Sequence, residues 1–276
     1  MSHRILSLTG YLLYLLSTSW TGVAYVAISI AFYLFAFRTR TPEADYFILV
    51  LGGFGAFLAF LLTLSFAARA NEAASYPILV RLQSRVEYIT AVMLAAVLTT
   101  LLILGVIAAV ALVRNSPELT LGRALQIPPI WLSLIIVFSV LALHASDFVA
   151  AGWSRVTIFG LLAIFLVVGE NSTSLTGWLA DQFNQLSAWS YQQGSISNGQ
   201  TFQQVADWFN GGGSSIVQEL FGLVFWPFHA IFAGTIGGSF TEVEALAPGT
   251  LLIYATILFL LAADFFANKD LLFTEE

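Results

Sequence analysis

Cysteine is missing from all 276 residues, which excludes disulfides, thiolate metal sites and cysteine-held iron–sulfur clusters and leaves the redox compartment open. Charge is scarce. Only 9% of residues are Asp, Glu, Lys or Arg, against about 25% in soluble domains. With 10 basic and 16 acidic side chains there is no basic patch to hold a polyanion, so nucleic acid is not expected as a partner. The three histidines, His3, His144 and His229, lie too far apart for a sequence-local metal motif, and no metal is expected. A phosphate-binding Gly-Lys loop is also missing: Gly211-Gly212-Gly213 has neither the lysine nor the preceding strand. The chain is therefore not expected to hydrolyse ATP by that route.

What is present is hydrophobic length. Hydrophobic residues make up 58% of the chain and the mean hydropathy is +0.86, so the expected fold class is an all-α polytopic membrane protein forming a single transmembrane domain over 1–276. A spanning helix needs about 20 mostly apolar residues. Six segments qualify: 20–37, 46–68, 88–113, 130–145, 153–169 and 250–267. Turn and charge signals bound them, among them Arg38–Pro42, Arg114–Pro117, Pro128-Pro129, Asp147 and Pro248-Gly249. Residues 5–16, after Arg4, resemble a signal peptide in charge and length but run on into more hydrophobic sequence, and are expected to be retained. They are too short to cross, which favours an interfacial elbow helix over a seventh span.

Charge distribution sets the expected orientation. With the N-terminus inside, Arg4, Arg69, Arg81, Arg85, Arg155 and Lys269 are cytoplasmic and Arg38, Arg40, Arg114 and Arg123 external, the direction favoured by the positive-inside rule. Residues 170–248 contain six acidic residues and no Lys or Arg, which suits an external insertion. Six spans put both termini in the cytoplasm and the chain in a plasma (inner) membrane as a multi-pass protein.

Within that insertion, Trp178, Leu179, Phe183, Leu186 and Trp189 recur at helical spacing among Asp181, Gln182, Asn184 and Gln185, marking an interfacial helix with an aromatic face. A Gly-, Ser- and Asn-rich turn at 194–199 leads to a second amphipathic piece at 202–209, and the three glycines 211–213 allow the chain to reverse. Residues 216–236 are long enough to span. Glu219, Pro227 and the glycines 234, 237 and 238 divide them into two half-length pieces, which favours a re-entrant hairpin over a complete span. Glu219, Pro227 and His229 are the external gate candidates; the alternative is a shallow, hydrated hairpin.

The most charged stretch, 69–87, lies between the second and third spans. It reads as a cytoplasmic surface helix, with Ile78, Leu79 and Leu82 toward lipid or the bundle and Arg81 and Arg85 on another face at i, i+4 spacing. The simpler reading is a basic loop that only sets topology. Here Glu72 and the run Ser84-Arg85-Val86-Glu87-Tyr88 resemble ABC-2 type permeases, the membrane subunits of ATP-binding-cassette exporters. In that family a glutamate-containing stretch and a coupling helix precede a Ser-Arg-x-Glu-Tyr-like start of the third span. The elbow helix, six spans, external hairpin and Phe265–Leu271 tail are similar too, whereas Tyr76-Pro77 stands where the family usually has Gly-Thr or Gly-Ser. The resemblance implies that Glu72, Arg81, Arg85 and Glu87 couple the chain to a separate cytoplasmic ATPase, which binds the ATP. It also implies that the chain works as a homodimer or as a heterodimer with a second permease.

Other residues carry two readings each. Gly52, Gly55, Ala56 and Ala59 form a small-residue face, for helix packing inside the monomer or for a dimer contact. His144 and Asp147, three apart, form either a proton-handling pair or a membrane boundary, and Glu170 either a pathway mouth or an interfacial anchor. The expected function is an export permease subunit embedded in the lipid bilayer. The competing expectation is a non-catalytic structural or assembly subunit docking through its aromatic external region, and an intramembrane enzyme resting on His144 and Asp147 is the third.

Overall fold

The computed structural model describes residues 2–38, 42–70, 84–115, 117, 119–146 and 172–268. Nine α-helices and one 3₁₀ turn account for nearly all of them: α1 (Ser2–Ser17), α2 (Trp20–Phe37), α3 (Ala44–Ala70), α4 (Arg85–Asn115), α5 (Leu121–Ala145), α6 (Ser172–Gln192), α7 (Ile196–Asn210), α8 (Gly212–Ile236), the 3₁₀ turn Glu244–Leu246 and α9 (Ala247–Asn268). No strand occurs among the described residues. In an apolar solvent only the helix satisfies every backbone group within one segment, which is why this composition yields helices alone.

Among the described residues, five helices are long and apolar enough to cross a bilayer: Trp20–Phe37, Ala44–Arg69, Arg85–Arg114, Leu121–Ala145 and Glu244–Asn268. They coincide with the first, second, third, fourth and last expected spans; the fifth, 153–169, lies outside the described residues. The fourth starts earlier than its prolines suggest. Helix α5 runs through Pro128 and Pro129, and Thr120 caps its start, its Oγ1 accepting from the Arg123 amide at 3.4 Å. A proline removes one amide donor and crowds the carbonyl four residues back. Here that affects the Ala124 and Leu125 carbonyls near the beginning of the helix, and the helix continues.

The chain divides into two compact units, 1–159 with 231–276, and 160–230. In the first, α3 is the most buried spanning helix and α2 and α9 are the most exposed. Helix α3 packs most extensively on α5 and also on α4; α5 packs on α9, and α1 on α4. Leu51, Leu58, Ala59, Leu62 and Phe66 on α3 are almost wholly buried. The small-residue face explains the close approach. Gly52 lies under the Trp131 ring, where an added methyl group would sit 3.1 Å from the nearest ring atom, and Gly55 lies against Leu104 and Ile135. Ala56 and Ala59 are buried beside them. The Trp131 indole donates to the Ile48 carbonyl at 3.0 Å, so the polar edge of this ring is satisfied inside the bundle. Near the same end of α3, Phe32 stacks on Phe54 with centroids 3.8 Å apart, and Phe37 meets Tyr46 and Phe47 edge-on.

Helix α1 is a separate helix before the first span. Leu8, Leu12 and Leu16 are buried at i, i+4 spacing, while Leu6, Tyr11 and Tyr14 are exposed. The α1–α2 turn occupies two residues, and Ser19 caps α2 by accepting from the Gly22 amide at 3.2 Å. Any side chain at position 22 would strike the Leu16 carbonyl oxygen, so this turn depends on glycine there.

The second unit contains the α6–α7 hairpin. The helices are antiparallel: Phe183 faces Phe202 and stacks on Phe209 at 5.8 Å, and the Ser187 hydroxyl donates to the Gly199 carbonyl at 2.8 Å. Only residues 193–195 separate the end of α6 from the start of α7 at Ile196. Gly194 has φ +75°, the left-handed conformation of a Schellman cap. The Ser195 amide bonds the Ser190 carbonyl at 3.0 Å and the Gly194 amide bonds that of Tyr191 at 3.0 Å. Gly199, expected in the turn, is instead a contact position inside α7 beneath the Tyr191 ring. Residues 216–236, expected as a broken hairpin, lie within the single helix α8, which carries Pro227 inside it. One proline costs the helix one amide donor, and the flanking apolar residues favour helix on both sides.

Candidate functional site

The residues expected to meet a partner lie where α3 ends and α4 begins. Glu72 and Arg81 fall in 71–83, outside the described residues; Arg69, Ser84, Arg85 and Glu87 are described. Ser84 caps α4, its carbonyl accepting from the Glu87 amide at 3.1 Å and its Oγ from the Val86 amide at 3.2 Å. Ser84-Arg85-Val86-Glu87 thus has the Ser-x-x-Glu spacing of a capping box, in which the glutamate reaches back to the capping residue's own amide. Glu87 does not complete it. Its side chain is 3% exposed and its Oε2 has no hydrogen-bond partner. The carboxylate is buried, not exposed on a surface of the protein. Arg85 is half-buried at the same helix start.

Arg69 closes this end of the bundle. It donates to the Leu15 carbonyl at 3.3 Å and to Thr21 Oγ1 at 3.0 Å, joining the last turn of α3 to both sides of the α1–α2 turn. Nearby, the Tyr25 hydroxyl and Ser65 Oγ are 2.6 Å apart, a second polar link between α2 and α3. Nothing in the local sequence marks Arg69 as more than a topology charge, because carbonyl recognition by a guanidinium has no sequence pattern.

His144, near the C-terminus of α5, is buried and directs Nε2 to the Leu258 carbonyl of α9 at 2.8 Å. Carbonyl oxygens only accept, so this nitrogen carries the proton. The contact makes His144 an interhelical tie; Asp147, its expected companion, lies outside the described residues.

At the far end of α5, a second polar cluster holds the reversal after α8. Arg123 Nη2 donates to the Thr235 carbonyl at 3.1 Å, a cation on a helix C-terminus where the dipole favours it. Gly238, at φ +78°, leaves room for that guanidinium, and the Phe240 ring covers Gly234. Thr241 and Glu244 then form a complete capping box: the Thr241 amide donates to Glu244 Oε2 at 2.8 Å and the Glu244 amide to Thr241 Oγ1 at 3.3 Å. The Thr-x-x-Glu spacing before an apolar run is the sequence signal for it. Of the external gate candidates, Pro227 is buried and His229 exposed, and Glu219 belongs to α8 with its side chain outside the described residues. The structure does not bring these three into one described cluster.

Among the described residues, no group of three or more His, Cys, Asp or Glu could hold a metal ion. The helices and their burial define a helical multi-pass membrane protein. Compared with models of protein families, with characterised proteins and with solved structures, the chain has no match in any of the three.

Proposed function

We propose that the chain is the membrane subunit of an ATP-driven exporter, similar to ABC-2 type permeases, with six spans and both termini cytoplasmic in a plasma (inner) membrane. It pairs with itself or with a second permease, and separate cytoplasmic ATP-binding-cassette subunits supply the energy. The observation that carries this reading is the bond pair from Arg69 to Leu15 and Thr21. It ties the end of the second span, immediately before the charged segment with Glu72 and Arg81, to the turn between a short N-terminal helix and the first span. A displacement of residues 71–84 by a partner would reach two other helices through one side chain. ATP-bound and ATP-free partners would have to engage that segment differently, since a ligand shifts a conformational equilibrium only through differential interaction. In this reading Arg81 and Arg85 meet the partner, Glu87 acts from inside the bundle, and α8 with Pro227 and His229 belongs to the external gate.

The three exposed tryptophans of the α6–α7 hairpin support the second reading, a structural subunit that docks through this region. Charge reversal separates the two. Arg81→Glu with Arg85→Glu is expected to abolish partner-dependent stimulation of ATP hydrolysis in reconstituted complexes, without loss of membrane insertion. Unchanged stimulation, or purification of a native complex containing no ATP-binding subunit, would favour the structural reading.

A further inference from the structure

The α6–α7 hairpin has two chemically different sides. In α6, Ala180, Phe183, Ser187 and Ser190 form the stripe that faces α7. At about 100° per residue, Leu186 and Trp189 fall on one flank of that stripe and Asp181 and Asn184 on the other, while Trp178 lies near the back of the helix, turned toward the Trp189 flank. In α7 the inward stripe is Gly199, Phe202, Ala206 and Phe209. Val205 and Trp208 lie on its flank of the same rotational sense, with Gln203 and Asp207 on the opposite one. Two antiparallel helices that face each other present flanks of like rotational sense on the same side of the pair. The hairpin therefore carries Trp189 and Trp208, exposed by 58% and 47%, on one side and its acids on the other, with Trp178, exposed by 57%, at the outer edge of the tryptophan side. Gln182 and Thr201, which share the tryptophan side, are polar but uncharged.

We infer that this tryptophan side lies in the interfacial layer of the bilayer that the chain itself spans, with the acidic side toward water. Tryptophan is the residue that concentrates at the headgroup level, where its ring is buried and its indole N–H stays hydrated. The side in question bears no formal charge, and residues 170–248 contain no Lys or Arg. That matches an uncharged zwitterionic interface and removes the usual electrostatic attraction to anionic lipid. Asp181 and Asp207, whose contact with lipid would be costly, both fall on the other side. A tether supplies the proximity: a single residue separates α7 from α8, whose apolar stretch Val224–Ile236 follows. Attachment through this stretch to the spanning helix α9 keeps the hairpin at high effective concentration beside the lipid. This inference does not depend on the transport reading.

Because these 276 residues contain no cysteine, single cysteines can be placed without background. Nitroxides attached at Leu186→Cys and Val205→Cys report the tryptophan side, and at Asn184→Cys and Gln203→Cys the polar side, in phosphatidylcholine vesicles. The expected result is a severalfold higher ratio of collisions with oxygen, which partitions into lipid, to collisions with a water-soluble nickel chelate at 186 and 205 than at 184 and 203. Equal ratios on both sides would place the hairpin in water. Shielding of 186 and 205 from both reagents would mean that protein, either a second copy or another subunit, covers this side. Either result overturns the assignment.

Discussion

Glu87 is the residue whose burial is hardest to reconcile with stability alone. A buried carboxylate oxygen without a donor costs about 1–3 kcal/mol, and more if charged, relative to a satisfied one. Its place in the first turn of α4 returns about 0.3–1 kcal/mol through the helix dipole. Replacement by an apolar side chain of similar length removes the orphaned oxygen and its desolvation cost. Glu87→Met is therefore expected to raise stability by about 1–2 kcal/mol, read as a higher melting temperature in detergent, while reducing ATPase coupling if the proposed function holds. A lower melting temperature would show that the carboxylate is satisfied in the folded protein. The motif around it is readable in the sequence, but the direction of the side chain is not. Ser-x-x-Glu spacing fits both a closed capping box, as the equivalent Thr241 and Glu244 form, and the open one at Ser84, because packing on α4 decides which way the carboxylate turns.

At the scale of elements, apolar length is the most reliable signal and proline the least. The segments 20–37, 46–68, 88–113 and 250–267 match helices because lipid sets a minimum length that composition displays directly. Pro128-Pro129 reads as a boundary and Pro227 as a break, yet all three prolines lie inside helices. A proline removes one donor, and the remaining helix bonds outweigh that loss when both flanks favour helix. The links between elements leave no trace in the sequence. Arg69, Arg123 and His144 all bind backbone carbonyls of residues 54 or more positions away, and any residue can offer a carbonyl. Arg123 gives the clearest test. Arg123→Met should free the Thr235 carbonyl at a cost of about 1.5–3 kcal/mol, the usual contribution of a hydrogen bond to a charged group. Amide hydrogen exchange in 236–243 should quicken, while exchange at the α1–α2 turn stays unchanged. Equal protection in variant and parent would assign the order of this reversal to the Thr241–Glu244 box and to Phe240 instead.

For the whole molecule, topology is the decisive quantity. Five described helices can cross a bilayer, and the apolar run 153–169 is the sixth in the proposed arrangement. Six spans predict that single cysteines at Ser7 and Asn268 react with a membrane-impermeant maleimide only after the cytoplasmic face is opened, whereas one at Gln193, in the hairpin turn, reacts in intact cells. If α8 were a further complete span, residue 268 would be labelled from outside, and the assignment of Arg81 and Arg85 to a cytoplasmic partner would then rest on the N-terminal half alone.

The reversal between α8 and α9 has a mechanical consequence. It is clamped at three points, by the Arg123 guanidinium on Thr235, by the Phe240 ring on Gly234, and by the Thr241–Glu244 box. Such a corner behaves as a fulcrum. A pull on the last turn of α8 would reach α5 through the Arg123 guanidinium and α9 along residues 237–246. Under the proposed function, the stroke would bear on a helix whose opposite end is tied to α9 by His144.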